Sequence, residues 1–162
     1  MKNADNLIYD FCEQVSGLGS KLGCVLVQLP PSLAFEKSGI VQTFTLLQQN
    51  LRCAVVCEPR NRSWFSHDAD TTLMQCNVSR VVADPQLFKS SPDAVAQNAL
   101  AYYRLHGSPE IYYSDYKIDA LQNYASSLRD ESLTHTVWCI FDNTASGHAI
   151  ANADTLQRLL DS

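Results

Sequence analysis

The sequence predicts an α/β protein built on parallel β-strands. Five short apolar runs, rich in Val, Ile and Cys and nearly continuous in hydrophobicity, predict the strands. They span residues 24–28, 53–58, 80–84, 101–107 and 137–143. Runs of this kind are typical of parallel strands that are covered on both faces. Because helical patterns lie between the runs, the sequence predicts a series of right-handed βαβ units.

Apolar stripes at helical spacing predict the helices. The four stripes are Leu7, Phe11, Val15 and Leu18; Ile40, Phe44, Leu47 and Leu51; Ile118, Leu121, Ala125 and Leu128; and Ala149, Ala153, Leu156 and Leu160. A shorter helix is expected over residues 66–76, with Ser66 as its N-cap. Two connections are irregular: residues 85–99, with a short helix near Asp93–Ala99, and the Gly- and Pro-containing loop 107–114. Long loops in compact domains are often functional.

Length and composition indicate one globular domain, residues 1–162. The chain is 46% hydrophobic and 18% charged, which allows a sizeable core. Its apolar runs are far shorter than the roughly 20 residues of a membrane span, and its N-terminus lacks an apolar signal region, so a cytoplasmic protein is expected. A net charge of −5, with scattered Lys and Arg, argues against a nucleic-acid partner. The six cysteines form no CxxC pair and are expected to be reduced, buried thiols.

A polar or ionisable side chain stands at the end of every predicted strand. These strand-end residues are Gln28, Glu58, Asp84, Arg104 with His106, and Asp142 with Asn143. Parallel α/β folds bind their ligands at the carboxyl ends of their strands. The strand ends are therefore the predicted site.

The period of two along a strand places Arg104 and His106 on one face. If that face points inward, Glu58 and Asp84 are expected to neutralise Arg104, which is costly to bury without a partner. The alternative is an ionic cluster that satisfies itself, caps the core and performs no chemistry.

Six segments carry a specific resemblance. They are "LVQLPPS" (26–32), "EPRNRSWF" (58–65), "VVADP" (81–85), "YYRLHG" (102–107), "YYSDY" (112–116) and "FDNTASGHAIANA" (141–153). In this order, and along essentially the whole chain, they resemble the signature segments of domain of unknown function 72, the YecE-like TIM-barrel proteins. One departure is local: Asn61-Arg62 stands where the family usually has a His-Pro pair before the Ser-Trp.

The resemblance implies a (β/α)₈ barrel, mostly bacterial and archaeal, with no established biochemical activity. The residues that match the family's motifs are Gln28, Pro30, Pro31, Glu58, Arg60, Trp64, Asp84, Arg104, His106, Gly107, Asn143, Gly147 and His148. They lie at the predicted strand ends and in the segments that directly follow them.

The length of the chain departs from that family fold, because a complete barrel typically needs about 250 residues. The five predicted strands resemble the fourth to eighth of the barrel. The sequence therefore predicts a partial TIM barrel of five βα units, with the first three units missing. Such an arc has two bare strand edges, which favours association with itself or with a partner that supplies strands. A fragment of a longer gene product is the other explanation.

Three functions remain open. The first is an enzyme acting on an anionic or phosphorylated small molecule, with His106 as general acid or base and Glu58 and Asp84 as the other catalytic groups. Its expected ligand-binding residues are Gln28, Arg60, Trp64, Arg104, Gly107, Asn143, Gly147 and His148. The second is a metal-dependent hydrolase or isomerase using the ligand types of Glu58, Asp84, His106, Asp142 and His148, although no tight ligand spacing supports a metal. The third is a binding module without catalysis; the sequence specifies no cofactor.

Overall fold

The computed structural model describes residues 4–88 and 100–162. This part of the chain forms two compact units, one of residues 4–80 with Phe88 and one of residues 81–87 with 100–162. Each unit contains one three-stranded parallel sheet. The short helix expected near Asp93–Ala99 lies outside the described residues, and the single-domain expectation stays a prediction.

The first unit contains three strands and three α-helices, with strand order β1-β2-β3. Its elements are α1 (Asp5–Ser16), β1 (Cys24–Leu29), α2 (Lys37–Asn50), β2 (Ala54–Pro59), α3 (His67–Gln75) and β3 (Ser79–Arg80), with 3₁₀ helices at Gly19–Lys21 and Arg62–Phe65. Along β1 and β2 the register places Gln28 beside Glu58. Their side chains therefore leave the same face at the carboxyl end of the sheet.

The second unit has strand order β4-β5-β6. Its elements are β4 (Val82–Asp84), β5 (Leu100–Leu105), α4 (Ile118–Ser132), β6 (Thr136–Phe141) and α5 (His148–Leu160). The register pairs Asp84 with Leu105 and Arg104 with Ile140. Helices α4 and α5 pack on each other and on β6.

The predicted partial TIM barrel of five βα units is wrong, although the α/β class and the parallel strands are confirmed. The described residues form two separate sheets rather than one five-stranded arc. The physical reason is the third apolar run, which was expected to form one strand. It is interrupted at Val81, so that β3 pairs with β2 whereas β4 pairs with β5.

The helices form where the stripes predict them, but not every stripe residue is buried: Ile118 of the third stripe and Ala153 of the fourth are exposed. All four residues of the α2 stripe are buried, and Ser66 caps α3 by accepting a hydrogen bond from the Ala69 amide at 3.3 Å. Helix α1 forms as expected but buries another face: Cys12 lies in the core, whereas Leu7 is 70% exposed. Ile8 and Val15 pack against the core together with Cys12, so α1 keeps Val15 of the predicted stripe but is turned by about one residue relative to the rest of it.

A buried arginine in the first unit was not anticipated. Arg80 is 1% exposed; its Nη2 donates to the Trp64 carbonyl at 2.6 Å and its guanidinium lies 4.9 Å from the Phe65 ring centroid. Asp70 Oδ1 lies 2.6 Å from Nη2, but without the alignment of a hydrogen bond. Charge proximity and the aromatic ring therefore compensate this buried cation.

The six cysteines are all free thiols. Cys12 and Cys57 are buried and the other four are partly buried. Within residues 4–88 and 100–162, no helix combines the length and apolarity of a membrane span.

Candidate functional site

In the second unit, one carboxylate joins two of the predicted site residues. Asp142 directly follows β6, and its Oδ2 accepts a hydrogen bond from Arg104 Nη2 at 2.7 Å and lies 2.9 Å from His106 Nδ1. The Asp142 amide donates to the Leu105 carbonyl at 2.8 Å, which continues the β5–β6 ladder past the end of β6. This ladder holds the carboxylate beside the side chains of Arg104 and His106.

The Asp142 contact determines which nitrogen of His106 carries a proton. An ionised carboxylate can only accept hydrogen bonds, so the 2.9 Å contact requires a proton on Nδ1. His106 is 3% exposed, and its amide donates to the Asp84 carbonyl at 2.8 Å. Any proton that neutral His106 gains must therefore bind at Nε2.

Gly107 begins the loop that follows β5 and must be glycine. Its φ is +97°, and a Cβ would lie 3.1 Å from the carbonyl oxygens of both Glu110 and Ser114. Its amide donates to Tyr116 Oη at 2.9 Å. The loop therefore turns back sharply over the strand end and is fixed there by Tyr116.

Asp84 supports Tyr116 rather than Arg104. Because β4 pairs Asp84 with Leu105, its side chain leaves the face opposite to that of Arg104. Tyr116 Oη donates to Asp84 Oδ2 at 2.7 Å. Burial, together with this hydrogen bond, raises the pKa of Tyr116. The charge-neutralising role expected of Asp84 towards Arg104 thus belongs to Asp142 within this unit.

Asn143 connects the loop to α5. It is fully buried, and its Nδ2 donates to the Ser114 carbonyl at 3.0 Å and to Asn152 Oδ1 at 2.7 Å. Asn152 Nδ2 in turn donates to Asp115 Oδ1 at 2.8 Å. The hydrogen bond from Asn152 is the main reason why the pKa of Asp115 is lowered. Asn143 therefore has a clear structural role in this network.

Gly147 and His148 lie at the start of α5. Gly147 is the N-cap residue, with φ +78°, and makes no side-chain cap. His148 is partly exposed, and its Nδ1 lies 3.9 Å from Asp115 Oδ1. This end of α5 therefore already faces an acidic side chain.

The other predicted site residues belong to the first unit. Glu58 is 3% exposed, and its Oε1 accepts from Arg60 Nε at 3.1 Å and from Nη2 at 2.7 Å. Gln28 lies beside Glu58 in the sheet register. Trp64 is fully buried; it donates from Nε1 to the Leu33 carbonyl at 2.9 Å, which indicates a packing role.

The sequence placed Asp142 at a strand end and among the possible metal ligands, but it did not indicate that Asp142 is the partner of Arg104 and His106. The β5–β6 register of the structure supplies this link: Ile140 pairs with Arg104, so Asp142 falls next to His106 when the ladder continues. The partnership of Tyr116 with Asp84 also had no signal in the sequence, because 32 residues separate the two. Among the described residues, no group of three or more His, Cys, Asp or Glu side chains has a metal-binding arrangement.

Comparison with known proteins gives the family. The sequence matches the family described as "Protein of unknown function DUF72" over residues 1–162. A DUF72 family protein from Thermotoga maritima has a similar crystal structure, with a TM-score of 0.84 and 22% identity, over 99% of this chain and 67% of that one. A DUF72 family protein from Enterococcus faecalis, solved at 2.52 Å, gives a TM-score of 0.78 and 20% identity, over 100% of this chain and 71% of that one.

These structural matches are below 25% identity and establish a shared fold alone. A search among curated proteins found no significant match. The match to the family extends over every residue from 1 to 162. The chain belongs to the DUF72 family of proteins of unknown function.

Proposed function

We propose that the ends of β5 and β6 form an acid–base catalytic site for a small anionic molecule. The supporting observation is the position of Asp142 Oδ2, which contacts both Arg104 Nη2 and His106 Nδ1. A base whose ring is oriented by a third group is the arrangement that many acid–base and nucleophilic enzymes use.

Each of the three side chains has a distinct role. His106 is the catalytic acid or base, acting at Nε2, and Asp142 is a positioning residue that fixes the tautomer and ring orientation. Arg104 supplies a permanent positive charge with five N–H donors, a geometry suited to phosphate or carboxylate groups. The reaction class that fits is a hydrolysis, elimination or isomerisation of a phosphorylated or otherwise anionic substrate.

The remaining predicted residues have supporting roles in this proposal. Gly107 and Asn143 shape and anchor the loop behind His106, and Asp84 holds Tyr116. The catalytic role of Glu58 and the ligand contacts of Gln28, Arg60, Trp64, Gly147 and His148 stay predictions. For Trp64, complete burial favours packing over ligand contact.

Titration calorimetry with inorganic phosphate tests the anion site. Arg104→Gln is expected to lower affinity at least tenfold, because the permanent charge is removed. Asp142→Asn is expected to raise affinity about 3- to 10-fold, because a negative charge beside Arg104 is removed. Asp154→Asn is the matched control, since Asp154 pairs with Arg158 on the exposed surface of α5. Phosphate binding that is unchanged in Arg104→Gln would contradict the proposal.

Turnover separates catalysis from binding. In a screen of phosphate esters and phosphorylated sugars, His106→Gln is expected to lower any activity by about 10²- to 10⁴-fold, the usual contribution of a general acid or base. Anion binding without turnover in the whole screen would favour a non-catalytic binding module. The metal-dependent alternative has no ligand cluster among the described residues to support it.

Association with a second copy or with another chain is also proposed. Leu7 and Phe11 on α1, and Trp138 and Ile140 on β6, are exposed apolar side chains. Within the described sheets, β1 and β6 are edge strands. Exposed edges and apolar patches favour contacts between chains, which light scattering at increasing protein concentration will detect.

A further inference from the structure

Tyr112 holds an unusual backbone conformation beside His106. Its φ is +72°, in the left-handed region that a bulky L-residue rarely adopts. Among the described residues, the other non-glycine with positive φ is Asn77, a residue type that tolerates this region. Tyr112 is thus the position where side-chain type and backbone conformation conflict most clearly.

Two backbone hydrogen bonds keep Tyr112 in this conformation. Its amide donates to the His106 carbonyl at 2.6 Å, and its carbonyl accepts from the Ala145 amide at 3.1 Å. Neither bond uses the tyrosine side chain, so glycine or asparagine would make both with less strain. The backbone therefore gives no reason for an aromatic residue here, and the reason must lie in the ring.

The Tyr112 ring stands against the proposed catalytic histidine. The two ring centroids are 5.9 Å apart and the ring planes meet at 86°, an edge-to-face contact. Tyr112 remains 39% exposed, whereas His106 is 3% exposed. One part of the tyrosine ring thus covers the imidazole and another part is accessible to a ligand.

We propose that Tyr112 is a specificity-determining residue, and that the ligand is an anion carrying a ring, which packs on Tyr112 while its charged group pairs with Arg104. This role rests on the anion site proposed above. Partly exposed aromatic rings beside polar groups commonly contact planar or apolar parts of ligands. Backbone strain that is retained next to a site, where a less strained residue would fold equally well, is typical of functional positions.

Calorimetry with phenyl phosphate and inorganic phosphate tests this role. Wild-type protein is expected to bind phenyl phosphate about 3- to 10-fold more tightly than inorganic phosphate, the range expected of an aromatic contact. Tyr112→Phe keeps the ring and is expected to keep this ratio. Tyr112→Asn removes the ring and relieves the backbone strain, so the ratio is expected to fall to about one while the melting temperature stays equal or rises. Asn77→Gly is the matched control and keeps the ratio.

The possible results separate the two proposals. If Tyr112→Asn lowers the melting temperature and keeps the ratio, Tyr112 is a structural residue and its specificity role is wrong. If wild-type protein binds both phosphates equally, the ring contact is wrong while the anion site stands. If neither compound binds, the anion site is wrong, and the role of Tyr112 is overturned with it.

Discussion

At the end of β2 a carboxylate oxygen accepts two hydrogen bonds from one arginine, whereas after β6 a carboxylate oxygen contacts both an arginine and a histidine. Glu58 Oε1 accepts both Nε and Nη2 of Arg60, two residues further along the same chain segment. Asp142 Oδ2 contacts Arg104 and His106, which belong to the neighbouring strand segment. The Glu58 side chain is 4% exposed and that of Asp142 is 29% exposed.

This difference shows that the same residue types can have different chemical consequences. A carboxylate that holds an arginine neutralises a charge that is permanent in any case. A carboxylate that holds a histidine also decides which ring nitrogen carries a proton, and so prepares the other for proton transfer. For this reason the acid–base site is proposed at the strand end of the second unit rather than at the Glu58–Arg60 pair.

The segments that follow the two strands differ as well. After β2 the chain enters a 3₁₀ helix whose Trp64 is fully buried in the core. After β5 the chain enters a loop held by hydrogen bonds from Gly107 to Tyr116 and from Asn143 to Ser114. Directional polar contacts fix both segments, since Trp64 Nε1 donates to the Leu33 carbonyl, but the first segment is also anchored by a large apolar side chain in the core.

The largest effect is expected from adding a methyl group to the loop of the second unit. Gly107→Ala forces a positive φ on alanine and places its Cβ 3.1 Å from two carbonyl oxygens. We expect a loss of about 3 kcal/mol in the free energy of unfolding, from backbone strain and steric overlap together. Urea denaturation followed by circular dichroism will measure it.

Alanine substitutions at two other glycines distinguish the cost of backbone strain from the cost of steric overlap. Gly147 in the second unit and Gly19 in the first have φ of +78° and +54°, with no atom within 4 Å of an added Cβ. Alanine at either position is expected to cost about 1 kcal/mol, from the backbone term alone. Equal losses at all three positions would show that the loop after Gly107 moves aside easily.

Local sequence patterns were sufficient to predict where the helices and most of the strands lie, although not which face of α1 is buried. The α2 stripe and the Ser66 cap depend on neighbours within a few residues, and both are confirmed. The break at Val81 could not be predicted, because it depends on which strand each half pairs with. A continuous apolar run does not indicate which neighbouring strand each of its halves will pair with.

The sequence was sufficient to predict where the candidate site residues lie in the chain, but not which of their side chains contact each other. Arg104 and His106 were expected at a strand end, yet their carboxylate partner is 36 or more residues further along the chain. Which face Asp84 occupies depends on the β4–β5 register, which sequence alone does not specify. Long-range pairing therefore accounts for the errors in the site.

A smaller effect is expected at alkaline pH, where the two units differ in their buried groups. Burial raises the pKa of Cys57 in the first unit and raises that of Cys139 in the second to about 12. Burial also raises the pKa of Tyr116 and Tyr124, both in the second unit. Raised pKa values stabilise the fold fully below the unfolded values, 9.0 for the thiols, and this stability is lost as pH rises towards the folded values.

Thiol substitution will show which unit carries this loss. If the whole chain unfolds in one step, Cys57→Val and Cys139→Val are each expected to make the unfolding free energy less dependent on pH between pH 9 and 12. The expected reduction corresponds to about one fewer proton released on unfolding. If the second unit instead unfolds on its own, only Cys139→Val is expected to reduce this dependence, and the part due to Tyr116 and Tyr124 remains in both variants. Denaturation curves at several pH values will test this, and a wild-type stability that is constant up to pH 12 would contradict it.

The smallest effect is expected in acid, from one exposed carboxylate in each unit. Hydrogen bonds from Ser38, from its side chain and amide, and from the Gly39 amide lower the pKa of Glu36, the N-cap of α2. The hydrogen bond from Asn152 lowers the pKa of Asp115 in the second unit. Lowered values stabilise the fold above the unfolded pKa values, 4.5 and 3.8, and this stability is lost as pH falls through the folded values.

Glu36→Gln and Asp115→Asn are therefore expected to be slightly less stable than the wild type at pH 7 and equally stable near pH 2. Solvent and salt screen both groups, so the differences in melting temperature should be only a few degrees. Asp115→Asn also loosens the Asn152 network that holds Asn143 and the loop before α4. If Asp115→Asn weakens phosphate binding and Glu36→Gln does not, this network couples the loop to the strand-end site, a coupling for which the first unit provides the matched control.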